Sequence, residues 1–548
     1  MTTVDNRAIS QLLGEIAGLL EIKGENVFKI RAHRSAAETI ADWPDPVAPM
    51  NDIQLRAIPG IGKDIAAKIR EFVETGACAY HQELSREFPS SMLGLLRVPG
   101  VGPKTVAFLY TTLNIRSVED LQAAAKAGKL RTLKGMGAKK ETQILKTLEE
   151  RAQFAGRHLL ARAASVAVEV VEAGPDLVVV GSIRRGCEMV SNIDVLAAAG
   201  ASPALLTPAN YTVSIHHAPP ESRGAAMRYF TGSRAHNDAL RERAAQRGFT
   251  LNELGLYRAT DDVKVAGETE ESIYEALGLA YIEPELRENR GEIEAAERRS
   301  LPRLITRGDI AGDLHMHTTA TDGRDDLHTM AAAAQKLGYR YIAITEHSKA
   351  LAMANGMDEK RLLAHAARVR SQNGRIEGLT LLAGVECDIL ADGTLDLADD
   401  CLAELDVVIA SVHSQFTQEP AQVTDRVLKA LDNQWVDILG HPTARRMLKR
   451  EPIRFDVEAV VAAAARLGVA MEINCQIERL DLNDINARLA RERGVRLVIN
   501  TDAHSTTELH NIVWGLQVAR RAWTQAGDVL NTLGVDEMRR TLRRNRNR

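Results

Sequence analysis

Aromatic residues are scarce in this sequence, at 4% of 548 residues, so its cores must be built mostly from Ala, Leu, Val and Ile. Cysteine is scarcer: Cys78, Cys187, Cys387, Cys401 and Cys475 are scattered, with no C-x-x-C pair. That argues against a disulfide framework and a thiolate zinc site, and points to a reducing cytoplasmic setting. A basic excess is missing too, because 69 Lys and Arg stand against 73 Asp and Glu for a net charge of −4. The crude electrostatic mark of a nucleic-acid partner is therefore absent. No run of about 18 apolar residues occurs, which excludes a spanning helix. Met1 to Asn6 is polar and lacks the apolar core of a signal peptide. What is present is ordinary globular composition, 45% apolar and 26% charged, over a length that predicts about three to five domains.

The chain changes character along its length. From Ile9 to Leu148 apolar residues recur at helical spacing, as in Ile9, Leu12, Leu13, Ile16, Leu19 and Leu20. One element recurs within this stretch: Ile58-Pro59-Gly60-Ile61-Gly62-Lys63, Val98-Pro99-Gly100-Val101-Gly102-Pro103-Lys104, and Leu133-Lys134-Gly135-Met136-Gly137-Ala138-Lys139. Each copy precedes an apolar helix. This is the helix-hairpin-helix pattern, whose glycines permit a tight turn and whose amides, near a helix N-terminus, favour a phosphate. Such contacts grip the DNA backbone without reading sequence. The candidate DNA contacts are Gly60, Gly62, Lys63, Gly100, Gly102 and Lys104. A single copy would read equally well as an ordinary turn; three copies favour DNA.

From Ala161 to Leu279 strands and helices mix, with strand candidates at Asp176–Val180 and Ser191–Ala198. Residues 285–310 are charged and read as a linker. Beyond Gly312 strands alternate with helices. Seven strand candidates, at Asp313–His317, Tyr341–Thr345, Leu381–Glu386, Val407–His413, Val436–Gly440, Ala470–Asn474 and Leu497–Asn500, predict a parallel β/α barrel. The last ten residues hold six arginines, Arg539, Arg540, Arg543, Arg544, Arg546 and Arg548, and read as a frayed, solvated end.

The strongest chemical signal lies at the ends of the barrel strands. His315, His317, Asp322, His347, Glu386, His413, His441, Asp502 and His504 nearly all stand at or just beyond an apolar strand. Barrel strands present such residues to one shared mouth. A lone histidine there is usually structural; six histidines and three carboxylates converging make a metal cluster. Mixed nitrogen and oxygen donors without thiolate suit Mn²⁺, Zn²⁺ or Fe²⁺ better than Mg²⁺.

A second constellation is Gly181-Ser182-Ile183-Arg184-Arg185-Gly186, Glu188, Asn192-Ile193-Asp194, Tyr229-Phe230-Thr231-Gly232-Ser233, His236-Asn237 and Glu268 to Tyr274. Together with the hairpins it resembles the bacterial family X DNA polymerases, and the histidine set resembles the PHP phosphoesterase domain. The resemblance runs from about residue 5 to the C-terminus and implies a multidomain fold. An all-α helix-hairpin-helix region would lead, with a DNA-binding domain at 1–85 and a fingers-like domain at 86–155. An α+β nucleotidyltransferase palm at 156–240, a thumb at 241–284 and the linker at 285–310 would follow. A distorted seven-stranded PHP barrel at 311–548 would close the chain.

The resemblance implies roles residue by residue. Gly181, Ser182 and Arg185 would hold a triphosphate, and Tyr229, Gly232 and Ser233 would flank the sugar, with Asp194 a ligand of Mg²⁺. The family uses three acids for two ions, and here Asn192 and Ser214 stand at two of those positions, so the ligand charge falls from −3 to −1. Two-metal displacement needs both ions, so polymerisation is expected to be weak or lost. All nine PHP ligand positions are filled and would hold up to three ions. His315, His317, Glu386, His413, Asp502 and His504 are the catalytic candidates, for 3′–5′ exonuclease chemistry. Glu346 stands where that family usually has Asp, and Ala444 where Gly often follows. Arg445 reads as a phosphate contact or as solvent-facing, and Glu188 as a solvated partner of a neighbouring arginine. Lys68 matches a Schiff-base lysine of some members, or is a solvated helix lysine. The expected role is DNA repair by a monomer at gapped, nicked or 3′-recessed DNA in the nucleoid. Rival readings are an active gap-filling polymerase, a small-molecule phosphatase, and a non-catalytic scaffold.

Overall fold

The computed structural model describes residues 4–545 apart from 42, 44, 99, 153–155, 173, 175 and 201–210. Pro99 of the second hairpin, and Arg546 and Arg548 of the tail, lie outside the described residues. The chain forms two compact units, Met1–Ala155 and Gly156–Arg548. No helix among the described residues is long and apolar enough to cross a membrane.

The first unit is helical. Its opening helix, Asn6–Lys23, is started by Asp5, whose carboxylate accepts from the Ala8 amide, and stopped at Gly24 in the left-handed region. The periodic residues Ile9, Leu13, Ile16, Leu19 and Leu20 are all fully buried. The three hairpins share one geometry. Gly60, Gly100 and Gly135 sit at φ of 84°, 79° and 82°, a region that disfavours any side chain. In each, an amide closes the turn onto the carbonyl three residues back: Ile61 to Ile58, Val101 to Val98 and Met136 to Leu133. Gly62 and Gly102 then begin the helices Lys63–Thr75 and Pro103–Leu113 without a side-chain cap. Ile58, Ile61, Val98, Val101 and Met136 of the hairpins are buried, whereas Gly60, Gly62, Lys63, Gly100, Gly102 and Lys104 are exposed.

Lys68 departs from the solvated reading. It is buried, paired with Asp64 one turn back, and its ammonium lies 4.7 Å from the centre of the Tyr80 ring. That ion pair and the cation–π contact make burial of the charge tolerable.

In the second unit, the strands Ile193–Ala198 and Val213–Ala218 pair in parallel, and Val178–Val179 pairs antiparallel to the first of them. The helices Leu160–Glu172 and Arg223–Thr231 cover this sheet. A three-stranded antiparallel sheet follows, Phe249–Leu251, Leu256–Arg258 and Lys264–Ala266. The charged stretch 285–310 is not an open linker. It begins within the short helix Pro284–Leu286, contains the helix Glu292–Glu297, and buries Leu286, Ile293, Ala296, Leu304, Arg287 and Glu292. Its charges are internal partners: Arg287 meets Glu270 at 2.6 Å and Glu292 meets His236 at 2.7 Å.

The rest is a seven-stranded parallel sheet in chain order: Gly312–Asp313, Tyr341–His347, Thr380–Asp388, Val407–Ser411, Ile438–Leu439, Ala470–Asn474 and Leu497–Asn500. The edges almost meet. His317 donates its amide to the Ala503 carbonyl at 2.9 Å, and Leu314 to the Asn500 side chain at 3.0 Å. Helices such as Leu327–Lys336, Pro420–Asp432 and Val457–Leu467 form the outer layer, so the strands are buried on both faces.

Strand parity explains where the chemistry lies. Tyr341, Ala343, Leu382, Val407, Ile409, Ala470 and Val498 pack together inside the barrel. Two-residue periodicity puts His347 on the face of Tyr341 and Ala343, Glu386 on that of Leu382, and Glu472 on that of Ala470. Of the C-terminal arginines, Arg543 and Arg544 are structured rather than frayed. The side chain of Arg544 is buried, pairs with Asp437 at 2.8 Å and donates to the carbonyls of Leu402, Leu405 and Trp435. Arg543 donates to those of Leu431, Asp432 and Asn433. Guanidinium groups here satisfy carbonyls at helix ends and loops that would otherwise be orphaned.

Candidate functional site

The structure brings all nine predicted barrel residues to one mouth. Glu386 lies at its centre, with His315, His317, His347, His413 and His441 presenting ring nitrogens at 3.5, 3.5, 2.9, 3.2 and 2.7 Å. Asp502 meets His317 at 3.2 Å and His315 at 3.5 Å. Asp322 meets His347 at 3.3 Å and His504 at 3.5 Å. Donor atoms fall into three groups, each within 4.8 Å: His317, Asp322, His347 and His504; His315, His317 and Asp502; His347, Glu386 and His413.

Several donors are buried and lack hydrogen-bond partners: Nε2 of His315, both ring nitrogens of His317, Nδ1 of His347, Nδ1 of His441 and Oδ1 of Asp502. Orphaned polar atoms are costly unless something fills the space between them. Protonation is contested accordingly. Burial opposes charge on every ring, yet Glu386 and Asp322 push His347 up to about 10. His413 and His504 reach about 9 for similar reasons. His317 goes the other way, to about 3, because burial is joined by repulsion from His347 and His504. The carboxylates thus draw positive charge onto the rings beside them, and the crowded rings compete to carry it.

Residues that the sequence reading did not single out hold the ligands in place. Glu472 accepts from His315 Nδ1 at 2.7 Å, the His441 amide at 2.7 Å, and the side-chain amides of Asn474 and Asn500 at 3.1 and 3.0 Å. It thereby fixes which nitrogen of His315 faces the cavity. Asp388 does the same for His413 at 3.2 Å. Both carried a signal: an acid inside an otherwise apolar strand, two residues from another polar group on the same face. The two family departures are also explained. Glu346 reaches the amide of Thr318 and the hydroxyls of Thr318 and Thr321. Ala444 sits at φ of 48°, where glycine is unstrained.

Arg445 is neither solvent-facing nor free for phosphate. It is buried and forms a two-pronged pair with Glu188 at 3.0 and 2.6 Å. Glu188 is correspondingly the partner of a residue 257 positions away, not of a neighbouring arginine.

The palm pocket is arranged differently. Asp194 accepts from Asn192 at 2.8 Å and lies 3.1 Å from His216 Nε2, while Asn192 also reaches Ser214 at 3.3 Å. The His216 ring stacks on Phe230, centroids 3.8 Å apart. Gly181, at φ of 68°, lies so close to Asp194 that a Cβ would collide with it. Ser182 is part-buried. Arg185, the expected triphosphate ligand, is turned to Glu288 at 3.0 Å and to the Thr231 carbonyl. Arg184 pairs with Glu270 at 2.9 and 2.5 Å. Tyr229 packs edge-on against Phe230 in the helix Arg223–Thr231, Gly232 ends that helix, and Ser233 caps Arg234–Gln246 by accepting from the His236 amide.

Comparison with known proteins agrees with this layout. Family profiles match a helix-hairpin-helix domain at residues 4–78, a SAM-like helix-hairpin-helix tandem at 92–150, a DNA polymerase beta thumb at 226–288 and a PHP domain at 313–476. The DNA polymerase/3′-5′ exonuclease PolX of Bacillus subtilis (strain 168) is 35% identical over 98% of this chain and 99% of its own length. The chain belongs to the PolX family. It joins helix-hairpin-helix, polymerase-thumb and PHP regions in one chain. Part of the chain also resembles smaller proteins. A probable phosphatase of Shewanella sp. (strain MR-4) is 32% identical over 35% of this chain and 75% of its own length. One from Thermoanaerobacter sp. (strain X514) is 30% identical over 40% of this chain and 89% of its own length.

Proposed function

We propose that this PolX chain is a DNA-repair enzyme that removes 3′-terminal nucleotides at its barrel mouth, while its palm positions DNA and polymerises weakly or not at all. One observation carries the reading: the barrel mouth keeps nine converging donors with orphaned atoms, whereas the palm's lone acid is closed by Asn192 and His216.

The donor set fits divalent ions. His315, His317, Asp322, His347, Glu386, His413, His441, Asp502 and His504 would hold up to three of them, and imidazole with carboxylate suits Mn²⁺, Zn²⁺ or Fe²⁺. When bound, such ions supply Lewis acidity and a water that ionises near neutral pH. The chain's own residues do the rest. Glu472 and Asp388 orient His315 and His413. The buried walls exclude bulk water, and Asp322, exposed, and His504, partly exposed, form the rim that would face substrate. In the palm, Asp194 alone is a poor Mg²⁺ site. The hairpin amides at Gly60, Gly62, Gly100 and Gly102, with Lys63 and Lys104, would grip DNA phosphates around a gap or nick, in a cytoplasmic monomer.

The test is degradation of a 3′-recessed duplex and primer extension, each with Mg²⁺ and with Mn²⁺, beside a His441→Ala variant. Loss of degradation in the variant and negligible extension are expected. Undiminished degradation would overturn the nuclease reading, and robust extension the palm reading. The names of the shorter relatives favour a second reading, small-molecule phosphatase activity; failure to bind gapped DNA would favour it.

A further inference from the structure

Arg479 stands in the loop after the strand Ala470–Asn474, and its guanidinium makes no hydrogen bond among the described residues. Its side chain is 17% exposed, and its nearest acid oxygen, Oδ2 of Asp502, is 3.9 Å away, beyond hydrogen-bond reach. Nη1 is buried with no partner at all. Other arginines around this junction are paired with acids: Arg445 with Glu188, Arg521 with Glu288 and Asp484, Arg290 with Asp484. Leaving Nη1 buried without a partner, beside one of the nine cluster residues, is costly unless an acceptor arrives there. The fork matches two oxygens of a phosphate.

The backbone of this same loop is held by a neighbouring barrel loop, which the palm's Glu188 grips in turn. Arg445 Nε donates to the Arg479 carbonyl at 2.7 Å, and its Nη2 donates to the Leu480 carbonyl. The remaining face of Arg445 is taken by Glu188, which lies between the palm's arginine turn and its strand pair. Thr443 adds a second tie, donating its amide to Asp481 at 3.0 Å. Glu188 therefore pulls on Arg445, and Arg445 pulls on the carbonyl of Arg479.

We propose that Arg479 binds a phosphate oxygen of the DNA 3′ end at the barrel mouth, and that Glu188 is its positioning residue, reaching it from the palm through Arg445. This rests on the nuclease reading above and gives the palm a task that needs no palm metal. No bond is made or broken by either residue. Arg479 supplies donors to a non-bridging oxygen, and Glu188 sets where those donors stand.

The experiment measures binding of inorganic phosphate to the Mn²⁺-loaded full chain by titration calorimetry, with metal content determined in parallel. Arg479→Ala and the polar but uncharged Arg479→Gln should weaken phosphate binding at least about tenfold, as loss of a charge-assisted hydrogen bond does. Metal content should not change. On 3′-recessed DNA both should raise KM more than they lower kcat. Glu188→Gln should weaken phosphate binding about threefold in the parent and not at all in the Arg479→Ala background, since the two act in series. Unchanged phosphate affinity in both Arg479 variants would overturn the assignment. A Glu188→Gln effect of equal size in both backgrounds would overturn the route from the palm. Phosphate binding is read without turnover, so failure of the nuclease reading would show separately, in the His441→Ala degradation assay.

Discussion

At the barrel mouth Glu386 meets five histidines within 3.5 Å, and several of the surrounding donors have no partner. In the palm Asp194 meets Asn192 and His216, and the two neighbouring arginines are spent on Glu270 and Glu288. Both regions gather polar groups at strand ends. One leaves them unsatisfied, at a cost in folding energy that only a ligand recovers; the other closes them on each other and needs nothing further. The lesson is that a binding site is recognised less by its residue types than by whether its donors and acceptors are already used up.

Four changes would break or sharpen this contrast. The largest effect is expected from Glu386→Gln, which removes the shared carboxylate; 3′ degradation should fall on the order of 10³-fold, with loss of bound metal by elemental analysis. Next is the double change Asn192→Asp with Ser214→Asp, which reopens the palm. Primer extension with Mg²⁺ should rise on the order of 10²-fold, and an unchanged rate would mean that the parent palm is not limited by its missing acids. Third, Glu472→Gln should lower metal affinity or degradation by about ten- to a hundredfold while leaving extension alone.

The last change concerns stability. Glu270 is buried and held at about 2 by Arg184 and Arg287, against desolvation and an ordinary value of 4.5. Its contribution of roughly 3 kcal/mol is therefore full above pH 4.5 and is lost as the pH falls toward 2. Glu270→Gln should cost about that much in urea unfolding at pH 7 and flatten the acid dependence below pH 4.5. The metal content of the barrel should not change. A loss of metal would mean that the two regions are not chemically separate.

The barrel was legible because its signal is local. His347 and Glu386 follow apolar strand residues at period two, and parity alone puts them on the inner face. The hairpins were legible because Gly60, Gly100 and Gly135 recur in one pattern and take one conformation. What escaped depends on distant partners. A charged stretch such as 285–310 reads as linker until Arg287 is seen against Glu270 and Glu292 against His236. Arg445 reads equally as free or bound until Glu188 arrives from 257 residues away. Arg544 reads as tail until its guanidinium is found among the carbonyls of Leu402, Leu405 and Trp435.

By itself, then, the sequence determined the alternation of strands and helices, the nine donors at strand ends and the two missing palm acids, because each is written in spacing and residue type. Only the tertiary structure decided which charges are spent and which are left waiting. A charge is neutralised by whatever lies within about 4 Å of it, and that neighbour is set by the fold, not by position along the chain.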